Sequence, residues 1–294
     1  MKKFRLLIGV IALIVFASCS KELSIDPLVF NVTTASTTYQ AGDTVNFKFS
    51  GNPEFISFYS GEEGHNYDFR ERTTIDGIPQ LKFTSYAQFG TQTNTLQLLA
   101  SNDFSGTYNA TNLNQATWTD ITSRATLSTG ANNTPSGIID LSDFLAQKKP
   151  IYIAFKYTGT TGSTQKTWTI NNLTLDLLKT NNTTLPITDL ASGGWAQVDI
   201  LGPAAKWTYN ATQLRIAGGG ATNPDNEDWV VSKLLYLNNI APDVAVPIKN
   251  ITQKMDSYDY VFTQPGTYKI VFLAANATAD KQSSTTKEIT LTIQ

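Results

Sequence analysis

The sequence predicts an all-β protein, and three observations carry that prediction. Apolar and polar side chains alternate strictly over many short runs, the mark of half-buried strands. No stretch after the first residues holds a long apolar stripe at helical spacing. Thr, Asn, Ser and Gly are abundant, which suits strands joined by tight turns.

The chain opens differently. Lys2, Lys3 and Arg5 precede an unbroken apolar run from Leu6 to Phe16, too short to span a bilayer stably. Residues 1–18 therefore read as a signal peptide. Phe16-Ala17-Ser18-Cys19 resembles the lipobox of bacterial lipoproteins, with Phe16 where Leu is usual. That resemblance implies lipidation of Cys19, with residues 19–22 as the lipidated N-terminus and tether. The alternative is an ordinary secretory peptide with an incidental Cys19. Cys19 is the only cysteine, and acylation would remove the exposed thiol that a secreted chain otherwise carries. Two or three acyl chains anchor durably where one is marginal.

Alternation starts soon after. Leu28, Phe30 and Val32 alternate, and Tyr39-Gln40-Ala41-Gly42-Asp43 supplies a turn. Val45, Phe47 and Phe49 follow, then Phe55 to Tyr59. At the far end, Tyr258, Tyr260 and Phe262 lead through Gln264-Pro265-Gly266 to Tyr268, Ile270 and Phe272, and Ile289, Leu291 and Ile293 close the chain. Neither end alone is long enough to enclose a core. Residues 23–75 and 246–294 are therefore expected to form one discontinuous sandwich, with 76–245 inserted as a second domain. Two or three domains in series is the alternative.

The middle is β-rich as well. Leu81 and Phe83, Leu96 to Ala100 and Trp118 to Ile121 read as strands. Ser136 to Phe144 includes one possible helical turn, with Asp140 or Ser142 as its cap. Ile151, Ile153, Phe155 and Tyr157 alternate strongly. Trp168 and Ile170 share one parity and Leu173, Leu175 and Leu177 the other, which places a bulge at Asn171-Asn172. Segments beginning at Trp195, Trp207 and Trp229 complete the set.

Ala41-Gly42-Asp43-Thr44-Val45-Asn46-Phe47 and Pro265-Gly266-Thr267-Tyr268-Lys269-Ile270-Val271 resemble the two halves of a PKD-type immunoglobulin-like domain. Leu99-Ala100-Ser101-Asn102-Asp103, Trp118-Thr119-Asp120-Ile121, Ile153-Ala154-Phe155-Lys156-Tyr157 and Asp228-Trp229-Val230-Val231-Ser232 resemble strands of cleaved-adhesin or choice-of-anchor jelly rolls. The fold class expected is thus an immunoglobulin/PKD-like β-sandwich with an inserted β jelly-roll domain. The whole mature chain is similar to an uncharacterised family of Bacteroidetes surface lipoproteins, classed by a domain of unknown function. In context these resemble the accessory glycan-binding lipoproteins of starch-utilisation-type systems. The resemblance implies an outer-membrane location facing the cell exterior and association with a glycan transporter complex.

Composition and chemistry narrow the function. A net charge of −2 with scattered Lys and Arg offers no footprint for nucleic acid. The single His65 has no cysteine and no second histidine to work with, and no Gly-x-Ser-x-Gly elbow accompanies it. The chain is therefore expected not to be an enzyme and to require no cofactor. Two carboxylates could hydrolyse a glycosidic bond, and Glu62, Glu63, Asp225, Glu227 and Asp228 are the obvious acids for such a glycoside hydrolase. Asn223-Pro224-Asp225-Asn226-Glu227-Asp228 has the oxygen density of a Ca²⁺ loop, which makes Asp225, Glu227 and Asp228 candidate ligands of a structural Ca²⁺. Sugars stack on flat aromatic rings, and amides meet their hydroxyls. Trp195 and Trp207, at strand starts beside loops, are with Tyr209 the candidate platform for a polysaccharide or oligosaccharide. Non-catalytic glycan capture is the reading this supports. Adhesion to a host or cell-surface protein is the alternative.

Overall fold

The computed structural model describes residues 27–202 and 205–294, so the segments read as signal peptide and tether, with Cys19, lie outside the described residues. The chain is all-β and divides into two compact units. Unit 1 joins the two ends of the chain, up to Arg72 and from Pro242 on; unit 2 is Thr73–Ala241. The sequence places those limits a few residues later, at 75/76 and 245/246.

Unit 1 opens with β1 (Phe30–Thr33), β2 (Thr38–Tyr39), β3 (Thr44–Gly51) and β4 (Phe55–Tyr59). Unit 2 follows with β5 (Gly77–Gln88), β6 (Leu96–Ser101), a short helix α1 (Ala110–Gln115), β7 (Thr119–Asp120), β8 (Thr134–Pro135), β9 (Ile139–Asp140) and the turn of helix α2 (Ser142–Leu145). It continues with β10 (Tyr152–Gly159), β11 (Thr167–Lys179), β12 (Thr184–Asp189), β13 (Ala196–Leu201), β14 (Trp207–Tyr209), β15 (Gln213–Ile216) and β16 (Asn226–Val231). Unit 1 then resumes with β17 (Val246–Lys249), β18 (Ser257–Val261), β19 (Gly266–Ala277) and β20 (Gln282–Ile293).

In unit 1, one sheet has the order β1-β3-β18 and the other β17-β4-β19-β20-β2. Each sheet mixes strands from the two ends of the chain. Phe47 on β3 lies opposite Tyr258 on β18, and Phe58 on β4 lies opposite Phe272 on β19. The alternating residues of these strands meet in one core, where Phe58 has the rings of Phe47, Phe272, Tyr258 and Tyr260 at 4.9–6.1 Å. Where the chain leaves and re-enters the unit, Arg72 donates to the buried Asp243 carboxylate at 2.6 Å, and Asn66 N–H donates to its other oxygen.

In unit 2, a five-stranded sheet, β13-β16-β10-β6-β7, packs on a larger one, β14-β15-β11-β5-β8 with β12 beside β11 and β9 beside β5. Ile151, Ile153, Phe155 and Tyr157 face the large sheet, with the Phe155 ring 5.3 Å from that of Phe83. The opposite face of β10 is covered too, because Leu113 of α1 and Phe104 pack on Tyr152, Ala154 and Trp229. Asn109 caps α1 by accepting from Asn112 N–H at 2.9 Å, a helix that the strand-like pattern around it conceals. The change of parity after Ile170 is a register shift between Asn171 and Thr174 against β5, with Asn172 at φ 51°.

Phe58→Ala tests the joined core. Emptying a fully buried ring site costs about 3–5 kcal/mol, so denaturant unfolding of the chain from Ser20 onward should show that loss in the transition of unit 1. A loss under about 1 kcal/mol, typical of a surface position, would contradict the packing.

Candidate functional site

The tryptophans correct the expected platform. Trp195 and Trp207 are 8% and 2% exposed, and both rings belong to the core of unit 2 around Phe155. Trp195 Nε1 donates to Leu190 O at 3.0 Å, and Trp207 Nε1 to Asp228 O at 3.1 Å. The Ser192-Gly193-Gly194 turn that suggests exposure does the opposite. A side chain on Gly193 would meet the Trp195 ring at 2.4 Å, so the missing Cβ is what lets the indole fold inward. Tyr209 is 46% exposed on the edge strand β14, but neither indole stands beside it as a platform.

The acids do not come together as a metal loop either. Asp225 accepts from Thr161 N–H at 2.7 Å, and Glu227 accepts from Trp229 Nε1 and pairs with Lys156. Asp228 points to the other face of β16, between the sheets. Among the described residues no group of three or more His, Cys, Asp or Glu side chains is placed to hold a metal. In unit 1, Glu62 is held by Ser60 and Tyr260, and His65 Nδ1 lies 2.7 Å from Val244 O.

What the sequence reading missed is a cleft at one end of unit 2. Three segments build it: the β5–β6 loop, residues 127–130, and the β10–β11 loop. Two adjoining hollows of about 470 and 380 Å³ share Thr91, Thr129 and Lys166, and lie within the size range of small-molecule pockets. Hydroxyls and amides dominate the lining, including Gln92, Asn94, Ser128 and Thr164. Trp168 belongs to the second hollow, its Nε1 donating to Thr95 Oγ1 at 2.8 Å. Lys166 is the one charged side chain of the lining, and its Nζ donates to Gly90 O at 3.0 Å.

The walls are tied to each other. Gln92 donates to Thr160 O and to Ser163, and accepts from Thr160 N–H at 3.1 Å, which joins the β5–β6 and β10–β11 loops. Ser128 N–H donates to Ser85 Oγ at 2.9 Å and fixes the third segment to β5. Gly90 is needed for the closure, since a Cβ there would meet Thr164 O at 2.1 Å.

Phe89 is the unusual residue of this cleft. The residue is 67% exposed, and its backbone is left-handed at φ 58°. A bulky L-residue in that region costs about 1–2 kcal/mol, and here burial does nothing to offset it. The Phe-Gly pair after a long alternating strand was the available sequence signal.

A second unusual residue lies inside unit 2. Asp228 is fully buried, and among the described residues no donor meets either carboxylate oxygen in hydrogen-bond geometry, although the Asn226 amide acts on it. Burial drives its pKa up from the usual carboxylate range to about 7; repulsion from Asp199 and Glu227 adds to this, and the Asn226 amide and Lys206 oppose it. Between about pH 4, where an unfolded carboxyl titrates, and about 7, the folded protein keeps a proton that the unfolded chain has released. Stability from this group is therefore fullest at the acid end and falls as pH rises through that window, by at most about 1.4 kcal/mol per pH unit. With chelator present, Asp228→Asn should remove this falling component from the stability–pH profile. An unchanged profile would contradict the burial of an uncompensated carboxyl.

No curated protein is significantly similar to the chain, and no solved structure is either. One family profile matches residues 18–195, more than half of the sequence, from the end of the apolar leader to Trp195 at the threshold of β13. The chain belongs to the family described as Domain of unknown function (DUF5017).

Proposed function

We propose that the protein is a lipid-anchored lipoprotein of the bacterial outer surface that captures a polysaccharide without cleaving it. The reading moves the binding site from Trp195 and Trp207 to the cleft at the loop end of unit 2. Its single strongest support is Phe89, an exposed ring held at an unfavourable φ beside a hollow lined by hydroxyls and amides. Such a ring offers a flat apolar face for a sugar, and the polar lining matches sugar hydroxyls. The ties through Gln92 and Ser128 hold the walls ready, which lowers the ordering cost of binding.

The anchor rests on the lipobox-like segment ending at Cys19, and association with an outer-membrane glycan transporter rests on the resemblance to Bacteroidetes surface lipoproteins alone. Adhesion by strand addition is the weaker reading. β2 pairs with only the last residues of β20, and the stretch of β20 left open carries Lys287 and Glu288, charges that discourage pairing with another strand.

Affinity electrophoresis of the chain from Ser20 onward, through gels holding a broad panel of polysaccharides, tests the proposal. Retardation by at least one glycan is expected. Phe89→Gly should weaken it about tenfold, the weight of about 1.4 kcal/mol, without loss of thermal stability. In cells, Cys19→Ala should shift the chain from the membrane to the soluble fraction. No retardation by any glycan, or an unweakened variant, would overturn glycan capture; continued membrane fractionation of Cys19→Ala would overturn the anchor.

A further inference from the structure

Among the described residues, the interior of unit 2 holds a row of buried oxygens that no donor meets. On the face of β16 that looks toward the large sheet stand Asn226 and Asp228, with Val230 next in line. The edge strand β13 runs antiparallel beside it, with Gln197 opposite Val230 and Asp199 opposite Asp228. These residues therefore share one face. Asp199 is a direct cross-strand neighbour of Asp228 and Gln197 a diagonal one, within reach of a long side chain.

Four oxygens of this row are buried and, among the described residues, unpartnered: Gln197 Oε1, Asn226 Oδ1 and both carboxylate oxygens of Asp228. The Asn226 amide cannot simply be turned round. Its Nδ2 donates to Gly202 O at 2.9 Å and to Ala205 O at 3.0 Å, so its oxygen is fixed as an inward acceptor. Asn226 and Asp228 are 3% and 0% exposed. Each buried acceptor left unmade costs about 1–3 kcal/mol, and a charged one more, so something must meet them.

Three donors can be weighed. The Lys206 ammonium stands 3.6 Å from Asp199 on a half-exposed side chain, beyond hydrogen-bond range, and balances the two acids only in part. The Lys156 ammonium is already paired with Glu227 on the opposite face. Tyr157, opposite Asp228 on β10, sends its hydroxyl to Lys166 O instead. A proton on Asp228 would serve one acceptor and leave the others. Water would donate hydrogen bonds but would not balance the charge that Asp228 carries when ionised. A hard cation satisfies both needs at once, because it takes oxygen ligands and neutralises charge.

We propose that Asp228, Asn226, Gln197 and Asp199 form a Ca²⁺ site between the two sheets of unit 2. Two carboxylates and two amides offer only oxygen, and an ion of this kind takes six to eight oxygens, the remainder from water. The site is distinct from the acidic loop suggested by spacing alone, since Asp225 and Glu227 face elsewhere and are already engaged. It is also independent of the glycan reading and stands or falls apart from it.

The test is calorimetric titration of the chelator-treated mature chain with CaCl₂, paired with thermal unfolding. One site per chain is expected, with a rise in melting temperature that saturates with it. Asp228→Asn should abolish the heat and the rise, and Asp199→Asn, a substitution on the partly exposed rim that spares the buried carboxylate, should weaken binding at least tenfold. Asp225→Asn should leave the affinity unchanged. Absence of both heat and stabilisation in the wild type would overturn the proposal. So would an equal response to MgCl₂ or NaCl at the same concentration, or a full response retained by a folded Asp228→Asn or Asp199→Asn chain.

Discussion

The pairing of strands from opposite ends of the chain is the constraint on which this architecture depends. Phe58 is buried only because Phe272 comes to lie beside it, and Phe47 only because β18 returns to β3. Bringing such distant segments together costs closure entropy. The inserted unit offsets much of that cost, because its own ends are held together by backbone bonds from Ile75 N–H to Asn238 O and from Ile240 N–H to Thr73 O. Once unit 2 is folded, the loop that unit 1 must close is effectively short. The Arg72–Asp243 pair then fixes the two chain crossings on the side of unit 1.

The alternation of the sequence was a reliable guide to strands and to the face each residue takes. It exposed the strands around Phe47, Phe155 and Phe272, and the shift of parity after Ile170 located the bulge at Asn171-Asn172. Parity cannot tell whether a face is covered. Both sides of β10 and β16 are packed, one by the large sheet and the other by α1 and its loop. Trp195 and Trp207 were misplaced for a related reason, since a glycine-rich turn looks the same whether it exposes a ring or makes room for it. The Phe-Gly pair marks Phe89 only as the end of a strand; its significance is its backbone conformation together with its exposure, which the pair does not disclose.

The two unusual places in unit 2 share a physical character. Each spends stability on an arrangement that packing alone does not explain: a left-handed, exposed phenylalanine at the cleft, and unpartnered oxygens between the sheets. Local costs of this kind persist where the surrounding structure imposes them, and they cluster at sites that bind something. Around Phe89 the surroundings are the hydrogen bonds of Gln92 and Ser128; around Asp228 they are the ladders to β10 and β13. In both, rigid strands hold the unfavourable feature in place, and loop or edge residues present it.

Hydrogen exchange followed by mass spectrometry, with and without a retained oligosaccharide, tests the central claim most directly. The account predicts slower exchange at residues 87–95, 127–130 and 160–166 together, with the strands around Trp195 and Trp207 unchanged. Protection confined to other segments of unit 2, or to unit 1, would contradict the assignment of the cleft.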